Sequence, residues 1–203
     1  MINTIIFDLG NVLINWEPKL LYNKIFESEE QTNHFLENIC TLTWNEEQDA
    51  GRSLEAGTKA LIEEFPQHKT EIEAYYGRWE EMLNGPIEGT VGIFRKLKES
   101  GTYKFYALTN WSAELFPIAL REFEFLNWFD GIVVSGDEGI RKPHPDFFQI
   151  LFDRYKVNPA NAVFIDDNLR NVEAARKLGI QSIRFTSAEE LEKELKELNV
   201  LNS

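Results

Sequence analysis

Two hydrophobic periods alternate along the chain. Short runs dense in Ile, Val, Phe and Tyr occur at Thr4–Asp8, Lys104–Thr109, Gly131–Ser135 and Ala162–Asp166, with a weaker one at Gln181–Phe185. Each has the length and composition of a β-strand. The last four alternate with stretches of helical period at Ala113–Phe123, Pro145–Tyr155 and Leu169–Leu178, and a closing helix opens on the capping box Ser187-Ala188-Glu189-Glu190. Gly101 and Gly179 stand where glycines follow helix C-termini. Strands that alternate with helices predict a mostly parallel, doubly wound α/β sheet covered on both faces by right-handed crossovers.

Roughly a hundred residues separate Asp8 from Thr109, where a crossover needs only a few dozen. Residues 18–83 carry helix-start signals and no strand pattern: Pro18 at a first-turn position, and capping boxes at Ser28-Glu29-Glu30-Gln31, Thr43-Trp44-Asn45-Glu46 and Thr70-Glu71-Ile72-Glu73. Asn84-Gly85-Pro86 is a stop signal, after which Thr90–Ser100 leads back to the sheet. The expected division is a core of residues 1–14 and 86–203 and a helical cap of residues 15–85, with linkers near 14–17 and 84–88.

Composition narrows the function classes. With 21 Lys+Arg against 34 Asp+Glu, the net charge is −13. That balance disfavours nucleic acid and anionic membranes, whose binding rests on Lys and Arg. Cys40 is the single cysteine, so no intrachain disulfide can form. No apolar run approaches the ~18 residues of a spanning helix, and the N-terminal residues lack the basic region of a signal peptide. A cytoplasmic protein is expected. The charge is uneven: residues 14–85 hold 6 Lys+Arg and 15 Asp+Glu, a net −9, which leaves −4 for the remainder.

Candidate chemistry collects at strand ends, the rim where parallel sheets bind ligands. The first strand ends in Asp8, followed by Leu9-Gly10-Asn11-Val12; the second ends in Thr109-Asn110, the fourth in Asp166-Asp167, and Lys142-Pro143 lies between the third and fourth. This set suits metal-assisted phosphoryl transfer to a small phosphorylated substrate. An aspartate such as Asp8 can attack phosphorus and form an acyl phosphate. Mg²⁺ would offset its charge, held by hard oxygen ligands from Asp8, the Gly10 carbonyl and Asp166 or Asp167. Lys142 would neutralise charge on the transferring group while Thr109 and nearby backbone N–H groups hold phosphate oxygens. Taken singly, Asp8 is also an ordinary turn residue, Asp166-Asp167 could cap the next helix, and Lys142 could be solvated.

On these residues the chain resembles the haloacid dehalogenase-like hydrolases, in particular the subgroup with a helical cap inserted after the first strand. The matching motifs are Phe7-Asp8-Leu9-Gly10-Asn11-Val12-Leu13, Leu108-Thr109-Asn110-Trp111-Ser112, Arg141-Lys142-Pro143-His144-Pro145 and Phe164-Ile165-Asp166-Asp167-Asn168, in family order over essentially the whole chain. The resemblance implies a Rossmann-like core, Asp8 as nucleophile, Thr109-Asn110 and Lys142 at the phosphoryl group, and Mg²⁺ held by the acidic motif, with Asp167 direct and Asp166 through water.

One position departs from the pattern. Phosphatases of this family usually carry a second aspartate, acting first as acid and then as base, where Gly10 stands. Gly10 suits a tight turn with close backbone approach; either way an acid is absent, and the open outcomes are slow turnover, a cap carboxylate or water in its place, or an acidic leaving oxygen, as in sugar 1-phosphates and acyl phosphates. Relatives with Asp-Leu-Gly-Asn-Val include a glucose 1-phosphate phosphatase. Trp111, Asp49 and Arg52 are candidates for substrate specificity; Trp44 suits packing and Ser53 a helix cap. The competing readings are a metal-independent 2-haloacid dehalogenase and a non-catalytic phosphate-binding module.

Overall fold

The computed structural model describes residues 1–201. Five strands form one parallel sheet: β1 (Thr4–Phe7), β4 (Lys104–Thr109), β5 (Gly131–Val134), β6 (Ala162–Asp166) and β7 (Gln181–Arg184), in the order β5-β4-β1-β6-β7. The numbering follows the chain, and β2 and β3 belong to a separate ribbon described below. The chain winds outward from β1 through β4 to β5 and returns to β6 on the other side of β1, so the strand order reverses there. The carboxyl ends of β1, β4 and β6 therefore border the crevice where such sheets bind ligands.

Strand alternation sends successive side chains to opposite faces. Ile5 and Phe7 join Phe105, Ala107, Val163 and Ile165 on one face, and Ile6 joins Tyr106, Leu108 and Phe164 on the other. The first face is covered by α6 (Glu88–Glu99) and α11 (Ala188–Glu197), through Val91, Phe94, Leu191 and Leu195; the second by α9 (Pro145–Tyr155) and α10 (Leu169–Lys177), through Phe147, Phe148, Leu151 and Ala175. A sheet buried on both faces explains strands that read as continuous apolar runs.

Between β1 and α6 lie α1 (Lys19–Tyr22), α2 (Glu29–Asn38), α3 (Leu42–Asp49), α4 (Leu54–Glu64) and α5 (Lys69–Gly77). The remaining helices are α7 (Phe116–Glu122) and the short α8 (Ser135–Glu138). Ser28, Ser53 and Ser187 cap their helices as the sequence predicts. Others start elsewhere. Thr41 rather than Thr43 caps α3, accepting from the Trp44 N–H, and α5 follows a 3₁₀ turn at Pro66–His68. Helix α7 begins three residues late because Ser112 first organises a turn, its carbonyl accepting from Leu115 and Phe116.

The linkers are also more structured than expected. Ile14–Trp16 (β2) and Leu83–Pro86 (β3) pair antiparallel. Both are very short, and β3 contains Gly85-Pro86, so neither carries a strand pattern; their pairing arises because the two ends of the helical insertion must leave the core side by side. No helix among the described residues is long and apolar enough to cross a membrane.

Candidate active site

Asp8 follows the last residue of β1, and Asp166-Asp167 closes β6 beside it. Carboxylate oxygens of Asp8, Asp166 and Asp167 lie within 4.8 Å of one another. Such a group is unstable without compensating positive charge. Part of it comes from Lys142, which is fully buried, with Nζ 2.9 Å from Asp8 Oδ1 and 2.8 Å from Asp166 Oδ2. Burial would push this ammonium down, but Asp166 and Asp8 hold it above its ordinary value. Burial pushes Asp8 above the usual carboxylate range; Lys142 opposes this and Asp166 and Asp167 add to it. Asp167 is raised by burial and by Asp166. Three hard oxygen donors with unbalanced charge fit a divalent cation such as Mg²⁺.

The three acids differ in what they have left to offer. Asp166 is saturated: Oδ1 accepts from the Asn168 N–H and Asn171 Nδ2, and Oδ2 from Lys142 and Asn171 Nδ2. Both close contacts of Asp8, from Lys142 and the Leu9 N–H, fall on Oδ1. The next helix is capped by Asn168 rather than by either acid.

Asn110 positions the lysine. Its Oδ1 accepts from the Lys142 N–H at 2.8 Å and its Nδ2 donates to the Lys142 carbonyl at 3.0 Å. Its side chain is thus committed to the Lys142 backbone, although Asn110 also borders the open cleft. Thr109 is fully buried, and its hydroxyl has no hydrogen-bond partner among the described residues, an arrangement that costs about 1–3 kcal/mol unless a ligand oxygen completes it.

The helical insertion closes the rim into a cleft of about 430 Å³. Asp8, Gly10, Asn110 and Asp167 line it from the sheet, and Asn45, Glu46 and Asp49 line it from α3. Glu46 joins the two parts, meeting Arg141 at 2.8 Å and Arg170 at 3.0 Å. A smaller chamber of about 70 Å³ adjoins the cleft, walled by Trp16, Trp79, Trp111 and Leu115 and shared with Gly10, Asn45, Asp49 and Asn110. Trp79 and Trp111 meet edge to face with ring centroids 5.3 Å apart, and the indole N–H groups of Trp16 and Trp111 are buried without partners.

Asp49 therefore faces the site, and burial there pushes its carboxyl up to about 7 against the pull of Arg141. Arg52 turns elsewhere: its guanidinium donates to Gln48 Oε1 and the Trp44 carbonyl, and it does not line the cleft. Trp44 packs against Tyr75 and Tyr76 within the insertion. Gly10 is not demanded by the backbone. The left-handed residue of this turn is Asn11, with φ 55°, a conformation asparagine tolerates; a Cβ on Gly10 would meet nothing within 4 Å.

Sequence reasoning missed Asn171 and Glu46. Asn171 lies in the first turn of α10, and its position after the acidic strand end is the signal that could have found it. Glu46 had none, since its partners are 95 and 124 residues away.

Residues 2–179 match the haloacid dehalogenase-like hydrolase family. The chain belongs to that family. Over 96% of its length this hydrolase is 26% identical to a drimenol cyclase of Aspergillus calidoustus, of which it spans 36%, about a third. It is 29% identical to a sesquiterpene phosphatase of Aspergillus oryzae over 90% of the chain and 89% of the relative. A haloacid dehalogenase-like enzyme from Bacteroides thetaiotaomicron, solved as a mutant complex with magnesium and inorganic phosphate, shares the fold with a TM-score of 0.70 at 20% identity over 92% of this chain and 95% of that one.

Proposed function

We infer that this hydrolase is a Mg²⁺-dependent phosphatase acting on a small phosphorylated metabolite through an aspartyl-phosphate intermediate. The observation that carries this reading is the convergence of Asp8, Asp166 and Asp167 around a shared position, with Lys142 bridging Asp8 and Asp166. The similarity to a sesquiterpene phosphatase and the magnesium–phosphate complex of a protein of the same fold support it.

Asp8 is the nucleophile. Asp8, Asp167 and the Gly10 carbonyl would hold Mg²⁺, and Asp166, whose oxygens are occupied by protein donors, anchors Lys142 and would reach the cation through water. The cation would supply charge neutralisation at the phosphoryl oxygens. Lys142 sets the charge on Asp8, and the orphan Thr109 hydroxyl donates to a phosphoryl oxygen. The leaving group sits toward the tryptophan-walled chamber, where closure of the insertion excludes water.

A phosphate-release screen with Mg²⁺ across aryl, primary alkyl and anomeric sugar phosphates tests the reading. Release that disappears with a chelator and in Asp8→Asn is the expected result. Equal activity of Asp8→Asn and the parent, or hydrolysis of 2-haloacids that survives the chelator, would overturn it.

A further inference from the structure

We propose that Asp49, carried by the helical insertion, is the acid and then the base of the reaction, acting across the cleft in the space that Gly10 leaves empty. This rests on Asp8 being the nucleophile, and it names the group that moves protons in the same site.

The need is chemical. When Asp8 Oδ attacks phosphorus, the bond from phosphorus to the leaving oxygen breaks and leaves an alkoxide, a poor leaving group unless it receives a proton. In the second step a water attacks the aspartyl phosphate and must lose a proton as the bond between phosphorus and Asp8 breaks. One carboxyl group can serve both: it donates its proton to the leaving oxygen, then accepts one from water, and ends as it began while phosphate departs and Asp8 returns to a carboxylate.

The carboxyl groups around the cleft leave one free for this work. Asp8, Asp166 and Asp167 are held in the acidic cluster with Lys142. Glu46 is bound to two guanidinium groups. Asp49 forms no ion pair among the described residues; its carboxyl meets Asn45 Nδ2 at 3.2 Å and the Ser112 backbone N–H, neutral donors that leave it able to change protonation state. It borders both the cleft that holds Asp8 and the chamber walled by Trp16, Trp79 and Trp111, the boundary where a bond between phosphoryl group and leaving group would lie.

Gly10 lines both cavities with it, and nothing lies within 4 Å of where a Gly10 side chain would begin. The space is open, and Asp49 lines the same two cavities from α3. Trp16 and Trp111 wall the same chamber, and their buried indole N–H groups have no partner among the described residues; a leaving group with oxygen acceptors, such as a hydroxylated alcohol, would satisfy them if it displaced a ring slightly, and Asp49 removes any need for that alcohol to be acidic. Burial raises the carboxyl to about 7, where a group can give and take protons near neutrality.

The test compares Asp49→Asn, Asp49→Asn with Gly10→Asp, Asp8→Asn and the parent, all with Mg²⁺, on p-nitrophenyl phosphate and glycerol phosphate. Unchanged circular dichroism and thermal midpoint of Asp49→Asn establish its fold. Nitrophenolate leaves without a proton, so Asp49→Asn should give a burst of nitrophenolate equal to the enzyme present and then slow turnover. Turnover of glycerol phosphate should fall about 10²–10⁴-fold with no burst, and adding Gly10→Asp should restore part of it. Equal loss on both substrates without a burst, or no loss on either, would overturn the role of Asp49 while leaving the phosphatase intact if Asp8→Asn is still inactive. An inactive parent, or an Asp8→Asn as active as the parent, would remove both.

Discussion

Lys142 carries the electrostatics of the centre, because its buried ammonium is the one cation touching Asp8 and Asp166 among the described residues. Removing one partner of a buried ion cluster leaves uncompensated charge, which typically costs about 3–5 kcal/mol. Lys142→Met should therefore lower stability by that order in urea unfolding as well as abolish turnover, and added Mg²⁺ should recover part of the lost stability. The principal site residues were legible because each is a polar residue ending an apolar run or in the loop beyond it: Asp8, Thr109, Asp166 and Asp167 at strand ends and Lys142 between the third and fourth runs. Asn171, which bridges both Asp166 oxygens, stands in the first turn of α10, where asparagine reads as an ordinary helix-start residue, and only its place shortly after the acidic strand end marks it.

At the scale of elements, α3 brings the acidic side chains of the insertion to the cleft. Glu46 and Asp49 are three residues apart, about one turn, and so share a face; Glu46 binds Arg141 and Arg170 while Asp49 borders the chamber. The junction after α3 is tight as well: Gly51 has φ 97°, and a Cβ there would come within 3.2 Å of Gly139 Cα. Glu46 and Arg141 are partly exposed and Arg170 mostly so, which keeps the pairs within the about 0.2–1 kcal/mol of surface ion pairs. Glu46→Gln should accordingly cost about 1 kcal/mol or less in stability, yet loosen closure enough to raise KM several-fold with a smaller change in kcat. Steady-state kinetics beside a melting curve would show the split, and a kcat loss with KM unchanged would contradict the latch. The shifted start of α3 and the β2/β3 ribbon were not legible, because a cap two residues earlier and a pairing of very short segments are decided by what packs beside them.

For the whole molecule, the reversal of strand order gathers residues from the two ends and the middle of the chain into one crevice, and the insertion covers it. The charge follows the same division, with −9 on residues 14–85 and −4 elsewhere, so the acidic protein presents a nearly balanced core beneath an acidic cover. A cation bound only by the folded state stabilises it by mass action, about 2.7 kcal/mol at a hundredfold excess over Kd. Mg²⁺ should raise the thermal midpoint of the parent in a saturable way, and Asp167→Asn should lose most of that shift. An equal rise in both proteins would show that the cation does not use Asp167.

The sequence by itself determined the class of fold, the order of its parallel strands along the chain, the presence of a helical insertion and the residue types brought to the rim, because hydrophobic period and strand-end chemistry are local properties. Tertiary structure decided the rest. It committed Asp166 to Lys142 and Asn171, turned Arg52 away from the cleft, moved the left-handed turn residue to Asn11 while Gly10 stands beside open space, and brought Asp49 to the cavities that Gly10 lines. Each of these depends on which side chain arrives beside which after a hundred residues of intervening chain, and no local period records that distance.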